Sequence, residues 1–324
     1  MLRYILKRIL ILIPVVIVIS VILFTISKIM PGDPVRAYLS PTLRPNEYKL
    51  AYEAMELRLG LDKSVFEQYF RWMYNLIFVG DLGFSSLLNQ PVARVVAGPL
   101  LNTIILNVFV NIFYLAIALP VGIKMATKRG SLFDNAFQMG SLVTWSIPSF
   151  FLGLIFIFLF GVRLGILPMG GMPNTYMLGT GETIVAWARH LALPVATLTL
   201  ISLASAMRYI RNAMIDALTQ DYIRTARSKG LGEKVVIYSH ALRNAMIPIS
   251  TIIVFTLFSL FSGSPLTESV FAYNGMGRLL LRAVDARDGM LIITMNLFFA
   301  TITVIGVLVA DVVYGLVDPR VKLK

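Results

Sequence analysis

Six long apolar stretches dominate this chain of 324 residues. A helix rises about 1.5 Å per residue and the hydrocarbon core of a bilayer is about 30 Å thick, so a spanning helix needs roughly 20 mainly apolar residues. Only 14% of the residues are charged, and the mean hydropathy is +0.78, as is typical of integral membrane proteins. The sequence therefore predicts an all-α membrane protein with about six transmembrane helices, near residues 9–27, 100–123, 139–162, 191–207, 247–266 and 291–316.

The first apolar stretch follows a basic N-terminus, as a signal peptide would. It is as long as a full span and is not followed by a small-x-small cleavage site, so we expect it to be a retained helix. The predicted organisation is therefore an N-terminal transmembrane helix (residues 1–30), an extracytoplasmic segment (31–98), a membrane core (99–316) with a polar loop (208–245), and a tail (317–324).

Basic residues are divided unequally between the segments that join the predicted spans. Sixteen of the 29 Lys and Arg residues, with only five acids, fall in residues 1–8, 124–138, 208–245 and 317–324. The other 13, with eleven acids, fall in the longer segments 28–99, 163–190 and 268–290. Because cytoplasmic loops retain positive charge, the first set and both termini are predicted to be cytoplasmic. The net charge of +12 is then an orientation signal, and nucleic acid is not an expected partner.

The extracytoplasmic segment contains one clear helix start. Ser64 and Glu67 have the spacing of a capping box, in which each side chain binds a free backbone amide of the other residue. Apolar residues then recur with helical spacing and form one face. Burial for stability, contact with the bilayer interface and docking of a partner all remain open for that face. It consists of Val65, Tyr69, Trp72, Met73, Leu76 and Ile77.

The polar loop between the fourth and fifth spans is predicted to form two short helices separated by Gly230, Leu231 and Gly232. Gly230 suits the left-handed residue that ends a helix, and Leu231 suits the hydrophobic contact that often follows it. Glu233 favours the start of the second helix. Charge alone allows a solvated basic loop as an alternative.

Three polar residues are candidates for a permeation path: Asn107 and Asn111 on the second span, and Glu268 where the fifth span meets the outside. Polar groups within membranes usually face water or the protein interior. Hydrogen bonds between helices are the alternative for the asparagines. A local ion pair with Arg278 or Arg282 is the alternative for Glu268.

Asn102 on the second span, and Asn296 and Asp311 on the sixth, are further polar residues of the predicted spans. Interhelical hydrogen bonding is the expected role of the asparagines. Because Asp311 lies near the cytoplasmic end of its span, we expect it to have a structural partner at the inner surface.

The sequence lacks the residues of several kinds of catalytic site. It contains no cysteine, no Walker A sequence and no His-Glu-x-x-His or Gly-x-Ser-x-Gly motif. We therefore expect no catalytic residues, no metal site, no cofactor on this chain and no ATP binding by it.

Several blocks, in order, closely resemble the permease subunits of ABC importers, in particular the first-permease (B-type) subunit of the dipeptide, oligopeptide and nickel branch. The longest is DYIRTARSKGL at residues 221–231, followed by HALRNA at 240–245. Shorter blocks extend nearly from end to end: MLRY at 1–4, PGDP at 31–34, LGLD at 59–62, GDLGFS at 80–85, SIPSF at 146–150 and DPR at 318–320.

The general importer motif is Glu-Ala-Ala, three residues, then Gly. In this register the chain has Arg224, Thr225 and Ala226 before Gly230, so the initial Glu is absent, and Pro248 follows later than in the general pattern. The peptide branch shares both departures. The resemblance implies that this loop couples the permease to a separate ATP-hydrolysing subunit through Asp221, Arg224, Thr225, Ala226, Arg227, Lys229, Gly230 and Leu231.

The resemblance further implies a type I ABC importer permease fold in a prokaryotic plasma (inner) membrane. The expected partners are membrane lipid, a second homologous permease subunit, two ATP-binding subunits that hold ATP and Mg, and an extracytoplasmic solute-binding protein. Di- or oligopeptides are the expected substrate, and nickel, haem or glutathione are alternatives. A self-contained secondary transporter or channel, in which the basic loop only sets orientation, is the alternative from another class.

Overall fold

A computed structural model of the protein describes residues 2–30, 35–36, 39 and 44–317. The PGDP and DPR motifs at residues 31–34 and 318–320, and the tail after residue 317, lie outside the described residues. The described residues form a helical bundle with one short β-hairpin.

Within the described residues, five helices are long and apolar enough to cross a membrane, as the hydropathy pattern predicts, and a bent helix pair can supply a sixth span. Four of the five are α1 (Leu2–Ile29), α4 (Val92–Thr127), α7 (Thr180–Leu218) and α13 (Gly289–Val317). The other is the continuous helix Glu233–Phe261, most of which is α10 (Leu242–Phe258).

The predicted third span is not one straight helix. It is divided into α5 (Leu132–Ser146) and α6 (Ser149–Phe156), which continues as a π-helical turn (Ile157–Arg163). The two parts meet at an angle of 100°. The break lies at Ile147 and Pro148, because a proline has no N–H to donate and disfavours the helical conformation of the residue before it. Ile147 accordingly adopts extended backbone angles.

Two other predicted spans have different bounds in the structure. The fourth lies within α7, whose 39 residues continue well beyond residues 191–207 at both ends, through Pro194. The fifth ends earlier than predicted. A 3₁₀ turn (Ser259–Phe261) follows α10, and Pro265 begins the separate helix α11 (Pro265–Val270). Proline at the first turn of a helix costs no hydrogen bond.

The centre of the bundle is the interface between α4 and α7. Ala118 and Met125 of α4 pack there with Ile210 and Met214 of α7, and all four side chains are buried. A Cβ atom at Gly122 would lie 2.8 Å from the side chain of Ile210. Glycine therefore lets these two helices approach closely.

The segment between the first two spans folds into α2 (Pro45–Leu59), α3 (Val65–Tyr74) with a π-helical turn (Asn75–Val79), and two antiparallel strands, β1 (Phe84–Ser85) and β2 (Gln90–Pro91). The predicted capping box is present: Ser64 and Glu67 bind each other's backbone amides. The predicted apolar face is only partly buried. Tyr69, Trp72, Met73 and Leu76 pack with residues of α1 and α13, whereas Val65 and Ile77 are exposed.

Asp288 attaches the β-hairpin to the bundle. Its buried carboxylate accepts hydrogen bonds from the Ser85 hydroxyl at 2.5 Å, from the Leu87 amide at 3.1 Å and from the Leu291 amide at 3.1 Å. The same carboxylate thus caps the first turn of α13 and holds β1 against it. Helix α12 (Met276–Asp285) precedes this junction.

Candidate coupling site

The predicted polar loop forms helix α8 (Asp221–Ser228) and then α9 (Glu233–Val235), which continues through a π-helical turn (Val236–Ala241) into α10. The second helix is therefore not the separate short helix that the sequence suggested. We refer to residues 221–241 as the hairpin. Its first arm is α8, which two residues join to the end of α7, and its second arm is the start of a spanning helix.

Gly230 ends α8 as predicted. Its φ is +75°, in the left-handed region, and its amide donates to the Arg227 carbonyl at 2.9 Å. The Leu231 amide donates to the Ala226 carbonyl at 3.4 Å. These two bonds are the pair that defines a Schellman motif. The side chain of Leu231, by contrast, is 39% exposed rather than packed over the cap.

The inner face of α8 is fully packed. Ile223 has no exposed surface and Ala226 only 5%. Both belong to the same cluster as Met214 of α7 and Val236 and Ala241 of the second arm. Ile223 and Ala226, which are three residues apart, therefore fix α8 against the end of α7 and the start of the next spanning helix. Ala226, one of the residues to which the resemblance assigns a coupling role, therefore lies inside the hairpin and not on its exposed surface.

The outer face of α8 is polar. The Arg224 side chain is 80% exposed and lies 3.7 Å from the carboxylate of Asp221, one turn earlier. Thr225, Ser228 and Lys229 are also exposed. An exposed ion pair of this kind contributes little to stability, so these groups are available for contacts with another protein.

One ion pair joins the two arms of the hairpin. The Arg227 guanidinium donates to both carboxylate oxygens of Glu233, at 2.6 and 3.2 Å. A bidentate pair holds its two groups in a defined geometry better than a single contact does. Glu233 therefore both begins the second helix, as predicted, and closes the turn around Gly230.

Two arginines of the predicted polar loop belong instead to α7. Arg208 lies over the ring of Trp145 of α5, with 5.5 Å between the guanidinium carbon and the ring centroid. Arg211 donates to both carboxylate oxygens of Asp134, at 2.6 and 2.8 Å. The Asp134 side chain is 1% exposed. The exposed basic surface of the hairpin therefore begins after α7.

Asp134 is a structural centre that sequence reasoning missed. Besides Arg211, its carboxylate accepts a hydrogen bond from the Gly130 amide at 2.9 Å, and its own amide donates to the N-capping hydroxyl of Ser131. The S-x-x-D spacing at the start of α5 was a visible signal of a helix cap. The partner, 77 residues away, left no local pattern. This carboxylate fixes α5 to α7 at the end of the bundle that carries the hairpin.

The candidate path asparagines make hydrogen bonds between elements. The Asn107 amide donates to the carbonyls of Ser259, Leu260 and Ser262, at 2.9 to 3.1 Å. Asn111 donates to the Thr256 carbonyl at 2.8 Å. These carbonyls belong to the last turn of α10, to the 3₁₀ turn that follows it and to the residue that ends that turn. The asparagines thus hold α4 against the point where α10 ends.

Asn102, Asn296 and Asp311, the other polar residues singled out in the predicted spans, also have partners. The Asn102 amide donates to the Asn274 carbonyl. The Asn296 amide donates to the Ile292 carbonyl of its own helix, and not to another helix as expected. Asp311 forms an ion pair with Arg8 of α1 at 3.3 Å. That pair is the structural partner expected for Asp311.

Glu268 is buried, not open to the outside. Its side chain is 1% exposed and accepts hydrogen bonds from the amides of Ser264 and Arg278 and from the Thr103 hydroxyl. Burial raises the pKa of this carboxyl, and the backbone hydrogen bonds oppose that shift. The Arg278 guanidinium instead donates to Ala272 and Asn274. Glu268 therefore joins α11, α12 and α4, and the expected ion pair with Arg278 is replaced by a bond to its backbone.

Comparison with known proteins agrees with this architecture. Residues 118–323 match the family described as the inner membrane component of binding-protein-dependent transport systems, and residues 1–95 match the family described as the N-terminal part of that membrane component. The chain is 35% identical to the oligopeptide transport system permease protein AppB of Bacillus subtilis over 99% of this chain and all of that protein.

Two further relatives also match over nearly their full lengths. The dipeptide transport system permease protein DppB of Alkalihalophilus pseudofirmus is 37% identical, over 99% of this chain and all of that protein. The di/tripeptide transport system permease protein DppB of Pseudomonas aeruginosa is 34% identical, over 99% of both.

The spanning bundle and the family matches define a multi-pass membrane permease rather than an enzyme. The chain belongs to the family of inner membrane components of binding-protein-dependent transport systems. The resemblance to ABC importer permeases and the type I importer fold are thereby confirmed.

Proposed function

We propose that this chain is one of two permease subunits of an ATP-driven importer of di- and oligopeptides. The names of full-length relatives from three bacteria support peptides as the substrate. In this proposal a second, homologous permease subunit completes the path. An extracytoplasmic solute-binding protein delivers the peptide, and two ATP-binding subunits hold ATP and Mg. This chain binds no cofactor.

The hairpin is the docking element for an ATP-binding subunit. The observation that carries this proposal is the division of α8 into two faces, with Ile223 and Ala226 buried and Arg224 and Lys229 exposed. A helix whose inner face packs on the bundle and whose end is fixed by a cap can transmit a movement of its partner as a rigid body. Exposed guanidinium and ammonium groups can make charge-assisted hydrogen bonds to carboxylates and carbonyls of a soluble protein.

The proposed role of the hairpin also sets the orientation of the chain in the membrane. With the hairpin on the cytoplasmic side, both termini are cytoplasmic too, and the segment between the first two spans is extracytoplasmic. The excess of Lys and Arg in the segments of the hairpin side supports this orientation.

A movement of the hairpin would reach the membrane through two helices. Its inner face packs on the end of α7, and its second arm continues into α10. Helix α7 packs along α4, whose Asn107 and Asn111 hold the far end of α10. Closure of the ATP-binding subunits would therefore tilt α7 and α10 together, which is the rigid-body type of switching. Nucleotide binding shifts the population between inward-open and outward-open forms.

The proposal predicts coupled ATP turnover. We would purify the complex that contains this chain in mild detergent and measure ATP hydrolysis with the solute-binding protein, either empty or loaded with short peptides. The loaded protein should raise the turnover severalfold above the empty one. ATPase subunits without any response to peptides would contradict the peptide substrate. Peptide transport by the chain alone would contradict the ABC mechanism and favour a secondary transporter.

A further inference from the structure

Helix α3 and its π-helical turn carry three stripes of side chains, although only one was expected. The first stripe, Tyr69, Trp72, Met73 and Leu76, packs against the bundle. The second is narrow and polar. The third is apolar, exposed and mostly aromatic. At 3.6 residues per turn, the polar stripe contains Gln68, Arg71 and Asn75, and the aromatic stripe contains Phe66, Phe70, Tyr74, Ile77 and Phe78.

The packed stripe fixes how deep α3 lies along α1. The Tyr69 hydroxyl is 2.8 Å from the hydroxyl of Ser20, and the Trp72 ring stacks on Phe24 with 5.6 Å between centroids. Ser20 lies about two and a half turns before the end of α1 at Ile29. Helix α3 therefore packs beside the apolar part of α1 and does not lie above its end.

The polar stripe fixes how α3 is rotated. Gln68 accepts a hydrogen bond from the ammonium group of Lys28, at the end of α1. Lys28 is where the apolar sequence of α1 ends, and a lysine in that position directs its charge toward water. The polar stripe thus faces the aqueous phase. The aromatic stripe, on the remaining side of the helix, points away from the bundle and from the aqueous phase.

The aromatic stripe is too exposed for a surface in water. The exposed fractions are 78% for Phe66, 66% for Phe70, 59% for Tyr74 and 73% for Phe78. None of these residues carries a charge. Glu67 lies on the same side in the first turn, where its carboxylate turns back to the Ser64 amide in the capping box. A contiguous apolar patch of this kind marks a contact with a membrane or another protein, and aromatic residues are enriched where a protein meets the bilayer interface.

Hydrocarbon is the environment that the neighbouring surfaces favour. Helix α1, on which α3 packs, exposes apolar side chains along its length, including Ile17, Val21 and Ile22. An apolar cleft of about 230 Å³ also adjoins α3 at Leu76. Both hydroxyls of the cleft lining, those of Thr294 and Thr301, donate to backbone carbonyls. The surfaces on either side of α3 therefore suit acyl chains.

We propose that the aromatic stripe of α3 is inserted among the acyl chains of the bilayer leaflet beside it, so that α3 is an interfacial membrane anchor. The polar stripe then lies at the level of the lipid headgroups, as in other amphipathic helices that lie in the interface. The partner of this surface is lipid, and not the solute-binding protein or the second permease subunit.

Spin labelling tests this proposal directly, because the chain has no cysteine. Phe70→Cys and Arg71→Cys each give it a single thiol, on adjacent residues of the aromatic and polar stripes. Each variant complex is labelled with a nitroxide and reconstituted into phosphatidylcholine vesicles. The complex with the unchanged chain, treated identically, gives the background from the other subunits. Collisions with oxygen, which partitions into lipid, are compared with collisions with a water-soluble nickel chelate.

The label at Phe70→Cys should collide mainly with oxygen, and the label at Arg71→Cys mainly with the nickel chelate. Equal access of the chelate to both labels would place the aromatic stripe in water and overturn the proposal. A Phe70→Cys label shielded from both reagents would show that a protein covers the stripe, and would overturn it as well. Because each variant changes one exposed side chain, neither should prevent folding.

Discussion

Replacing Gly230 with valine is expected to abolish most substrate uptake while the complex continues to hydrolyse ATP. Gly230 has a φ of +75°, and this left-handed conformation costs a residue with a Cβ about 1–2 kcal/mol, more for a β-branched residue. A cost of about 1.4 kcal/mol changes a population roughly tenfold. The cap that ends α8 would open, and the hairpin would no longer transmit the movement of its partner. Uptake into vesicles and ATP turnover would be measured on the same preparation.

Two variants separate backbone strain from the loss of a small residue. Asparagine tolerates the left-handed conformation, so Gly230→Asn should keep uptake near that of the unchanged chain. Gly232 has ordinary extended angles and open space around it, so Gly232→Ala should also be nearly neutral. Normal uptake in Gly230→Val, or equal losses in all three variants, would contradict the assignment of this turn to coupling.

Replacing Asp134 with alanine is expected to lower the free energy of unfolding by about 3 to 5 kcal/mol, the usual effect of leaving one member of a buried ion pair without its partner. The Arg211 side chain is only 13% exposed. Its guanidinium would lose both short hydrogen bonds, and the Gly130 amide would lose its acceptor. Denaturant titration of the purified protein in mixed micelles measures the loss.

Asp216 is the matched control, because it is an exposed acid on the same helix as Arg211. Asp216→Ala should change the free energy of unfolding by no more than about 0.5 kcal/mol. Replacing both partners with apolar residues, as in Asp134→Leu with Arg211→Met, should recover much of the stability. If Asp134→Ala were no less stable than Asp216→Ala, the ion pair would not be what holds α5 to α7.

Local patterns in the sequence predicted local structure well. Hydropathy located the spans, the spacing of Ser64 and Glu67 located the start of α3, and Gly230 marked the end of α8. Each depends on residues within a few turns of one another, so each can be seen in a single segment. The family resemblance depended on the same kind of local motif, and the comparisons confirm it.

The sequence did not reveal contacts between distant segments. Asp134 with Arg211, and Ser85 with Asp288, join residues 77 and 203 positions apart. Glu268 seemed to lie at a mouth because it follows an apolar stretch, whereas the turn before α11 places it inside. The aromatic stripe of α3 was missed because residues that contact lipid and residues that contact the bundle are equally apolar.

Thiol cross-linking from the hairpin tests the central claim most directly. The chain lacks cysteine, so Arg224→Cys places one reactive group on the exposed face of α8. Tyr176→Cys is the control, since Tyr176 is 89% exposed in the segment before α7, at the opposite end of that helix. With a short cross-linker on the purified complex, Arg224→Cys should capture the ATP-binding subunit, identified by mass spectrometry, and Tyr176→Cys should not. Capture from Tyr176→Cys alone, or from neither position, would contradict the claim that the hairpin docks on the subunit that hydrolyses ATP.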